Sequence, residues 1–356
     1  MSGFLAAGLQ CLKPYVPGEQ PQDRSYVKLN TNESPYPPST RVLDALDREQ
    51  AARLNLYSDP TALPLRRAIA REYGLKSENV FTSNGSDETL GFAFLAFADA
   101  NRPVTMPDIT YGFYRVFARL FQVGTNVIAL NGDFTLPVEK FCGVNTTVVL
   151  ANPNAPTGIA LPLCDIERIV AGNPENVVLV DEAYVDFGGE SALPLLAGYP
   201  NLLIVRTFSK SRSLAGARLG YALGSAELIS DLDRVRNSFH PYSINRLSML
   251  AGLEAINDRP YFEECTQKII RQREETSKEL RALGFILTDS AANFLFAAHP
   301  RLGGREYYEK LRARGVLVRH WDEPGLENHV RITIGTREQM RRLILETRAI
   351  LAEMNG

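Results

Sequence analysis

The sequence has few cysteines and no segment of the kind that crosses a membrane. Four cysteines, Cys11, Cys142, Cys164 and Cys265, are scattered over 356 residues without a Cys-x-x-Cys pair, which argues against a disulfide framework and favours reduced thiols. The first residues, MSGFLAAGLQCLKPY, lack the basic region and the clear cleavage site of a signal peptide. No apolar run approaches the roughly 18 residues of a transmembrane helix. We therefore expect a cytoplasmic protein, and no residue pattern predicts a metal site.

The sequence also lacks a strong charge of either sign. It has 39 basic and 41 acidic side chains, a net charge of −2, so it carries neither the footprint of a nucleic-acid binder nor a polybasic membrane patch. Hydrophobic residues make up 45% and charged residues 22%, as in ordinary globular proteins. The length suits one large domain and one smaller domain. These features favour an enzyme that acts on small metabolites.

The middle of the chain alternates between short apolar runs and helical segments. Apolar runs at residues 146–151, 176–181 and 201–207 are spaced as strand–helix–strand units of a buried parallel sheet. Ligands of such sheets bind at the carboxyl ends of the strands. Asp181 and the segment around Lys210 both lie at such ends.

Three predicted segments divide the chain. Residues 1–39 form an N-terminal arm, which we expect to join the smaller domain, and its residues 20–39 are rich in Pro, Ser and Asn and are expected to be irregular. Residues 40–256 form the large domain, and residues 257–356 form the smaller one. A long helical stretch at 261–283, which ends at Gly284, is expected to connect the two.

Five stretches combine into one candidate site. In TSNGSDETL, Gly85 ends a strand and Ser86 and Asp87 open a helix, whose free amides suit a phosphate. The turn NPNAPTG follows the next strand. In DEAY, Asp181 ends a strand and Tyr184 lies three residues further on. Each of these stretches alone is as well explained by a helix cap or a turn.

The fourth and fifth stretches contain basic residues. In TFSKSRSLAGARLGY, a desolvated Lys210 would have a lowered pKa and could form a Schiff base, while Ser209 and Arg218 could hold a phosphate beside it. An exposed lysine in a polar loop is the ordinary alternative. In VRITIG, Arg331 lies within an apolar strand and needs an anionic partner, either a structural carboxylate or a substrate.

In this order and spacing the five stretches resemble the fold-type I aminotransferases that use pyridoxal phosphate (PLP), and closely the histidinol-phosphate aminotransferases. The resemblance extends over nearly the whole chain and includes LNTNESPYPPS, LYSDP and the final VRITIGT. It implies an α/β fold with a mostly parallel seven-stranded sheet in the large domain and a smaller α/β domain at the C-terminus. It also implies a homodimer with shared active sites.

The resemblance assigns a role to each matching residue. Lys210 would bind PLP covalently and move the substrate proton, Asp181 would keep the pyridine nitrogen protonated, and Tyr184 would hydrogen-bond the phenolic oxygen. Tyr111 would stack on the ring. The cofactor phosphate would be held by the following residues, the last from the neighbouring subunit: Gly85, Ser86, Asp87, Ser209, Arg218 and Tyr57.

One position departs from the family pattern. Relatives commonly have Asn immediately before PTG, where this chain has Ala155, so Asn154 is the candidate replacement. On the substrate side the resemblance matches four residues, namely Tyr15, Asn32, Arg319 and Arg331. His320 and Trp321 could line an imidazole pocket, although a packed Trp and an exposed His are equally consistent with the sequence.

The implied activity is PLP-dependent transamination between histidinol phosphate and 2-oxoglutarate, with imidazole acetol phosphate and glutamate as the other pair, in histidine biosynthesis. Three alternatives stay open. An aromatic amino acid aminotransferase of the same fold shares nearly all the motifs. A decarboxylase of a phospho-amino acid shares the cofactor site. A catalytically silent PLP-binding regulator would need a DNA-binding domain, for which the 356 residues leave no room.

Overall fold

The computed structural model describes residues 4–354. Residues 1–3 and 355–356 lie outside the described residues. The start of the segment considered as a signal peptide, the first residues of the predicted arm and the last residues of the predicted C-terminal domain therefore also lie outside them. Within the described residues, no helix combines the length and the apolar character needed to cross a membrane.

The strands fall into two main sheets and one short pair. In chain order they are Val27–Lys28 (β1), Val80–Ser83 (β2), Val104–Pro107 (β3), Thr125–Ile128 (β4), Thr147–Ala151 (β5), Val178–Asp181 (β6), Leu202–Thr207 (β7), Gly220–Gly224 (β8), Ile286–Leu287 (β9), Phe294–Ala298 (β10), Val316–Leu317 (β11), Arg319–His320 (β12) and His329–Thr333 (β13).

Helices cover both faces of the larger sheet and one side of the smaller. The α-helices are Thr40–Ala45 (α1), Arg48–Ala52 (α2), Leu63–Glu72 (α3), Ser86–Phe97 (α4), Phe113–Leu120 (α5), Leu163–Ala171 (α6), Ala226–Phe239 (α7), Arg246–Asn257 (α8), Arg259–Ala282 (α9), Gly304–Ala313 (α10) and Arg337–Glu353 (α11). Short 3-10 turns occur at Ala7–Leu9, Ser77–Asn79, Val138–Phe141, Val185–Phe187, Leu193–Ala197 and Ala215–Ala217.

The larger sheet has seven strands in the order β2-β8-β7-β6-β5-β3-β4. Only β8 runs antiparallel to its neighbours, so the sheet is mixed and mostly parallel, as the sequence predicted. Every residue of β6 and β7 is buried. Alternate residues serve opposite faces: Val178 and Ile204 belong to one apolar core, while Leu179 and Leu203 belong to the other. Burial on both faces explains why these strands are continuous apolar runs.

The predicted central strands agree with the structure to within two residues at each end. The runs at 146–151, 176–181 and 201–207 become β5, β6 and β7. The predicted helix at 261–283 is α9, which begins two residues earlier because Asp258 accepts a hydrogen bond from the Tyr261 amide at its start.

The smaller sheet is antiparallel, in the order β12-β13-β10-β9, and packs against α9, α10 and α11. The N-terminal arm joins this part of the molecule. Its strand β1 pairs in parallel with β11, and the Thr333 amide donates to the Leu29 carbonyl. The arm therefore passes between the two sheets, where residues 30–33 reach the carboxyl ends of the larger sheet. The limits proposed for the domains, after residues 39 and 256, stay a prediction.

Candidate active site

A cavity of about 590 Å³ opens where three parallel strands end. The last residues of β5, β6 and β7, which are Ala151, Asp181 and Thr207, all line it. Its other walls come from the N-terminal arm and from the smaller sheet. This is the position at which open parallel sheets bind ligands, and it gathers most of the residues that the sequence predicted: Tyr15, Asn32, Ser86, Asp87, Tyr111, Asp181, Tyr184, Ser209, Lys210, Arg218, Arg319 and Arg331.

Lys210 lies just beyond the end of β7 with its amine in the cavity. The amine donates a hydrogen bond to the Thr31 carbonyl over 3.2 Å and lies 5.9 Å from the centre of the Tyr184 ring. Burial, together with the positive charge of Arg331, lowers the pKa of this amine to about 8. Near neutral pH roughly a tenth of Lys210 is therefore unprotonated and nucleophilic, far more than for an ordinary lysine.

Asp181 is a buried carboxylate whose hydrogen-bond donors are neutral. The Tyr114 hydroxyl donates to it over 2.8 Å and the Ala183 amide over 3.2 Å. Burial raises the pKa of Asp181 to about 6. A cationic group in the cavity would stabilise the ionised carboxylate, because no hydrogen-bond donor to it in the described chain carries a positive charge.

Tyr184 is held in the wall of the same cavity. Its hydroxyl accepts a hydrogen bond of 3.0 Å from the Asn32 amide, and the Asn32 carbonyl oxygen in turn accepts one from the Thr333 hydroxyl. The Tyr184 ring meets Phe294 edge to face, with 5.1 Å between ring centres. This chain of contacts joins the large sheet, the arm and the smaller sheet, and it leaves the phenol oxygen able to donate a hydrogen bond into the cavity.

The start of α4 forms an anion cradle with Arg218. Helix α4 begins at Ser86 without a side-chain cap, and the Ser86 and Asp87 amides donate no hydrogen bond to another described residue, so they are free for a ligand. Gly85 has φ of +89°, and a Cβ there would lie 2.7 Å from the Arg218 guanidinium. A Cβ on Gly220 would lie 2.3 Å from the Ser86 amide nitrogen. Both glycines are therefore needed for the close approach of backbone and guanidinium.

Asp87 lies within the same cradle and orients two of its members. Its carboxylate accepts hydrogen bonds from Arg218 over 3.0 Å and from the Tyr111 hydroxyl over 2.9 Å. The carboxylate thus aligns the guanidinium beside the helix end, and its interaction with Tyr111 fixes that ring in the cavity wall. Ser209, which is buried, completes the lining.

A second basic cluster lies on the smaller sheet. Arg331 donates to the Asn30 carbonyl, and its Nε has no hydrogen-bond partner among the described residues. Arg319 donates to the Val16 and Pro17 carbonyls over 2.9 and 3.1 Å. All these acceptors are neutral, so the two positive charges are available to an anionic ligand.

Comparison with known proteins agrees with this geometry. The family described as "Aminotransferase class I and II" matches residues 24–345. The chain belongs to this family. A histidinol-phosphate aminotransferase of Marinomonas sp. (strain MWYL1) is 49% identical over 96% of this chain and 98% of its own length. One of Chromohalobacter salexigens is 49% identical over 98% of this chain and 99% of its own length.

Solved structures show the same fold. Histidinol-phosphate aminotransferase from Sinorhizobium meliloti, crystallised in complex with pyridoxal-5′-phosphate, has a TM-score of 0.88 at 25% identity and covers 98% of this chain and 99% of its own. Aspartate aminotransferase from Thermus thermophilus with maleate has a TM-score of 0.81 at 21% identity, covering 97% and 99% of the two chains.

Three of the site residues predicted from the sequence do not line the cavity. Gly85 lies directly behind Ser86 and acts through the backbone. The Asn154 amide donates to the Ile109 carbonyl, and its oxygen accepts from Thr110, so this side chain is turned away from the cavity. Tyr57 is 80% exposed and stacks on Tyr242, with 4.5 Å between ring centres.

The two side chains considered for an imidazole pocket, His320 and Trp321, do not line the cavity. His320 is hydrogen-bonded through its two ring nitrogens to the His329 carbonyl and to Asp322. Trp321 faces the guanidinium groups of Arg319 and Arg331. Neither side chain lines the cavity, so the suggestion that they form its imidazole pocket finds no support in this geometry.

Tyr114, which donates to Asp181 from α5, was not among the residues predicted from the sequence. It lies three residues after Tyr111 in ITYGFY, and the helical spacing of two tyrosines beyond a strand was the available signal. Glu33 and the Thr31 carbonyl, both in the cavity wall, were also missed. The carbonyl belongs to the backbone, which leaves no residue-specific signal.

A buried ion-pair network lies beneath the two reactive residues. Arg206 pairs with Glu182 over 2.8 Å and with Asp186 over 3.3 Å, and Ser211 donates to Asp186 over 2.5 Å. Glu182 and Ser211 directly follow the site carboxylate and the site lysine in the chain. The network therefore ties the ends of β6 and β7 together and fixes the spacing of the two groups.

Proposed function

We propose that this protein is a PLP-dependent histidinol-phosphate aminotransferase of histidine biosynthesis. It would transfer the amino group between histidinol phosphate and 2-oxoglutarate, with imidazole acetol phosphate and glutamate as the other pair. The observation that carries the proposal is one cavity with two anion sites, one at α4 and one at Arg319 and Arg331, with Lys210 in the same cavity. Sequence identity of 49% over nearly the full length to enzymes of this name supports it.

The residues of the cavity fit PLP. The free amides of α4, with Arg218 and Ser209, suit a phosphate, and the uncompensated carboxylate of Asp181 suits a protonated ring nitrogen. The neutral amine of Lys210 suits an aldehyde. When bound, PLP supplies an electron-withdrawing ring that stabilises negative charge on the substrate carbon next to the amino group.

The protein contributes positioning and proton transfer. Lys210 would remove the proton from the substrate carbon and return it at the cofactor, which requires the neutral amine that burial favours. Tyr184, held by Asn32, would donate a hydrogen bond to the phenolic oxygen of the cofactor. Asp181 would keep the ring nitrogen protonated, because a cation stabilises the ionised form of this buried carboxylate and the carboxylate stabilises the cation in turn.

Substrate anions would bind at the second basic cluster. Histidinol phosphate carries a phosphate and no carboxylate, whereas glutamate carries two carboxylates, so one site must accept both kinds of anion. Among residues 4–354, Arg319 and Arg331 offer guanidinium groups without a carboxylate partner, and Tyr15 lies beside them in the cavity wall. Tyr15 stacks on Phe113, with 4.4 Å between ring centres.

A half-reaction assay tests this function. Conversion of the bound cofactor to its amino form is followed by absorbance with histidinol phosphate, phenylalanine and threonine phosphate in separate titrations. The proposal expects histidinol phosphate to react with the highest kcat/KM. A preference for phenylalanine would indicate an aromatic amino acid aminotransferase, and carbon dioxide release from threonine phosphate would indicate a decarboxylase.

Cofactor uptake by the apo protein should accelerate as the pH rises through about 8. The aldehyde reacts with the neutral amine, and the pKa of Lys210 is about 8 instead of the ordinary 10.5. The unfolded chain keeps this proton up to about pH 10.5, so the contribution of Lys210 to the free energy of unfolding should also increase from about pH 8 to that value. Stopped-flow absorbance of PLP binding measures the rate.

The control for this pH dependence is an Arg331→Leu variant. The charge of Arg331 lowers the pKa of Lys210, so its removal should move the midpoint of the uptake rate to higher pH. The reaction of PLP with N-acetyl-lysine corrects for the titration of the cofactor itself. A wild-type midpoint near that of N-acetyl-lysine would contradict the lowered pKa.

We further propose a cytoplasmic homodimer that shares its active sites. Large apolar side chains lie exposed in the segment before α3 and at and beyond the end of α7, and patches of this kind mark interfaces. They are Leu43, Leu46, Leu54, Leu56, Tyr57, Phe239 and Tyr242. Tyr57 would extend from this surface to the cofactor phosphate of the neighbouring subunit. The four unpaired cysteines support a reducing compartment.

Mixed dimers test the sharing of sites. A Tyr57→Phe chain should bind PLP about tenfold or more weakly, because a hydrogen bond to a charged group contributes about 1.5–3 kcal/mol. It is refolded with a Lys210→Ala chain that keeps its tyrosine. With sharing, each mixed dimer has one site with both defects and one with neither, so sites of wild-type PLP affinity and activity reappear. If all sites that contain Lys210 keep the weakened affinity, Tyr57 acts within its own chain.

A further inference from the structure

Trp321 is the only tryptophan of the chain and lies against both arginines of the second basic cluster. The guanidinium carbon of Arg319 lies 5.5 Å from the centre of the Trp321 ring, and that of Arg331 lies 5.4 Å from it. Arg331 also lies 5.3 Å from the Phe294 ring. One indole therefore contacts two cations that approach the cavity from neighbouring strands, β12 and β13.

Two like charges in one wall need a stabilising partner. Burial lowers the pKa of Arg331, and the positive charge of Arg319 also lowers it, because the two guanidiniums repel each other. The nearest carboxylate along the chain, Asp322, forms an ion pair with Arg305 and a hydrogen bond with His320 instead. The aromatic face is thus the contact that the two cations share.

An aromatic partner differs from a carboxylate because it leaves the charge and the N–H donors of a guanidinium free for a ligand. A carboxylate would neutralise the charge and occupy the N–H donors that an incoming anion needs. A ring face attracts a cation through its quadrupole, without accepting those N–H groups in ordinary hydrogen bonds. The contact therefore holds each guanidinium in place while its charge and its donors stay available to the ligand.

We propose that Trp321 is a positioning residue that holds Arg319 and Arg331 together as a clamp for the phosphate or carboxylate group of the substrate. The identity of that substrate rests on the proposed function, whereas the clamp itself does not. Trp321 would set the affinity for the anion, and its fluorescence would report when the clamp is filled. Chemistry at Lys210 would not depend on it once substrate is bound.

The test uses the PLP-loaded enzyme, in which the cofactor occupies the cradle at α4, and inorganic phosphate as the probe. Calorimetry gives the dissociation constant, and tryptophan fluorescence is followed in the same titration. Trp321→Leu should weaken phosphate binding roughly tenfold, and Trp321→Phe, which keeps an aromatic face, about two- to threefold. Arg331→Ala should abolish the fluorescence response of the wild-type protein.

Kinetics separate positioning from a general structural role. In Trp321→Leu, KM for both substrates should rise about as much as the phosphate dissociation constant, while kcat at saturation and the PLP affinity stay near wild type. Equal phosphate affinity in the leucine, phenylalanine and wild-type proteins would overturn the inference. So would a fall in kcat and PLP affinity with KM unchanged.

The result of the phosphate-binding test can be distinguished from the result of the half-reaction assay that tests the proposed function. If histidinol phosphate does not react but phosphate binding still depends on the aromatic ring at position 321, the clamp holds and serves another anionic substrate. If histidinol phosphate reacts well and phosphate binding is the same in all three proteins, the clamp fails and the proposed function stands.

Discussion

Replacement of Lys210 by alanine should remove the covalent, borohydride-reducible link to PLP and lower transamination by about a thousandfold or more. Two functions are lost at once, because the same amine binds the aldehyde and transfers the substrate proton, and general acid–base catalysis alone contributes about 10²- to 10⁴-fold. Reduction with borohydride, digestion and mass spectrometry of the labelled peptide measure the link. Single-turnover absorbance measures the proton transfer.

Two lysine variants make this result specific. Lys210→Arg keeps a positive charge at the Thr31 carbonyl but cannot form the link, so it should be as inactive as the alanine variant. Lys28→Ala removes a lysine of the arm that pairs with Glu33 over 2.8 Å, and it should keep a labelled peptide at Lys210. A Lys210→Ala protein that carried the label on a different lysine would contradict the assignment.

Much of the site was predictable because its residues lie where regular structure ends. Asp181 is the last residue of β6, Lys210 lies three residues beyond β7, and Ser86 begins α4. An apolar run that stops at a polar residue reveals the carboxyl end of a buried strand, and the parallel arrangement brings those ends together. The order of the motifs along the chain then identified the family and its cofactor.

Other elements gave weaker signals. Strand β4 is an edge strand, Thr125–Ile128, whose residues are mostly exposed, so it lacks the apolar run of its neighbours. Strand β8 begins and ends with glycine, at Gly220 and Gly224, which sequence patterns associate with turns. Gly220 is there because the start of α4 approaches too closely for a side chain, and such a tertiary contact leaves no local pattern.

Side-chain direction was the least predictable property of the site. Asn154 is adjacent to the position where relatives have an asparagine, but the turn points its amide to Ile109 and Thr110. Trp321 follows Arg319 in the chain and was considered for the imidazole pocket, yet it faces two guanidiniums. Both residues lie outside regular helices and strands, where no fixed period sets the direction of a side chain, so sequence spacing alone does not resolve it.

Replacement of Asp181 by asparagine should lower kcat by about a hundredfold or more while PLP remains bound. The variant keeps the shape of the side chain and removes its charge. The ring nitrogen then loses the anion that keeps it protonated, and preorganised charges of this kind contribute several kcal/mol to catalysis. Burial raises the pKa of this carboxyl only to about 6, so the group is still mostly ionised near neutral pH, and a cation beside it would lower the pKa again.

Tyr114→Phe is the matched control. It removes the hydroxyl that donates to Asp181 over 2.8 Å but leaves the carboxylate in place, so it should reduce kcat far less than the loss of the charge does. Steady-state and single-turnover rates of both variants at saturating PLP measure the difference. Turnover near that of the wild type in Asp181→Asn, with PLP bound, would contradict the role of the carboxylate.

A PLP analogue in which carbon replaces the ring nitrogen separates charge at that nitrogen from a general disturbance of the site. With this analogue the wild-type protein should turn over slowly. Asp181→Asn should lower its rate little further, because the analogue has no ring nitrogen for the carboxylate to keep protonated. The coupling between the two changes, measured as a double-mutant cycle, should therefore account for most of the hundredfold effect. Independent, multiplicative losses would place the contribution of Asp181 elsewhere in the site, for example in holding the Tyr114 hydroxyl.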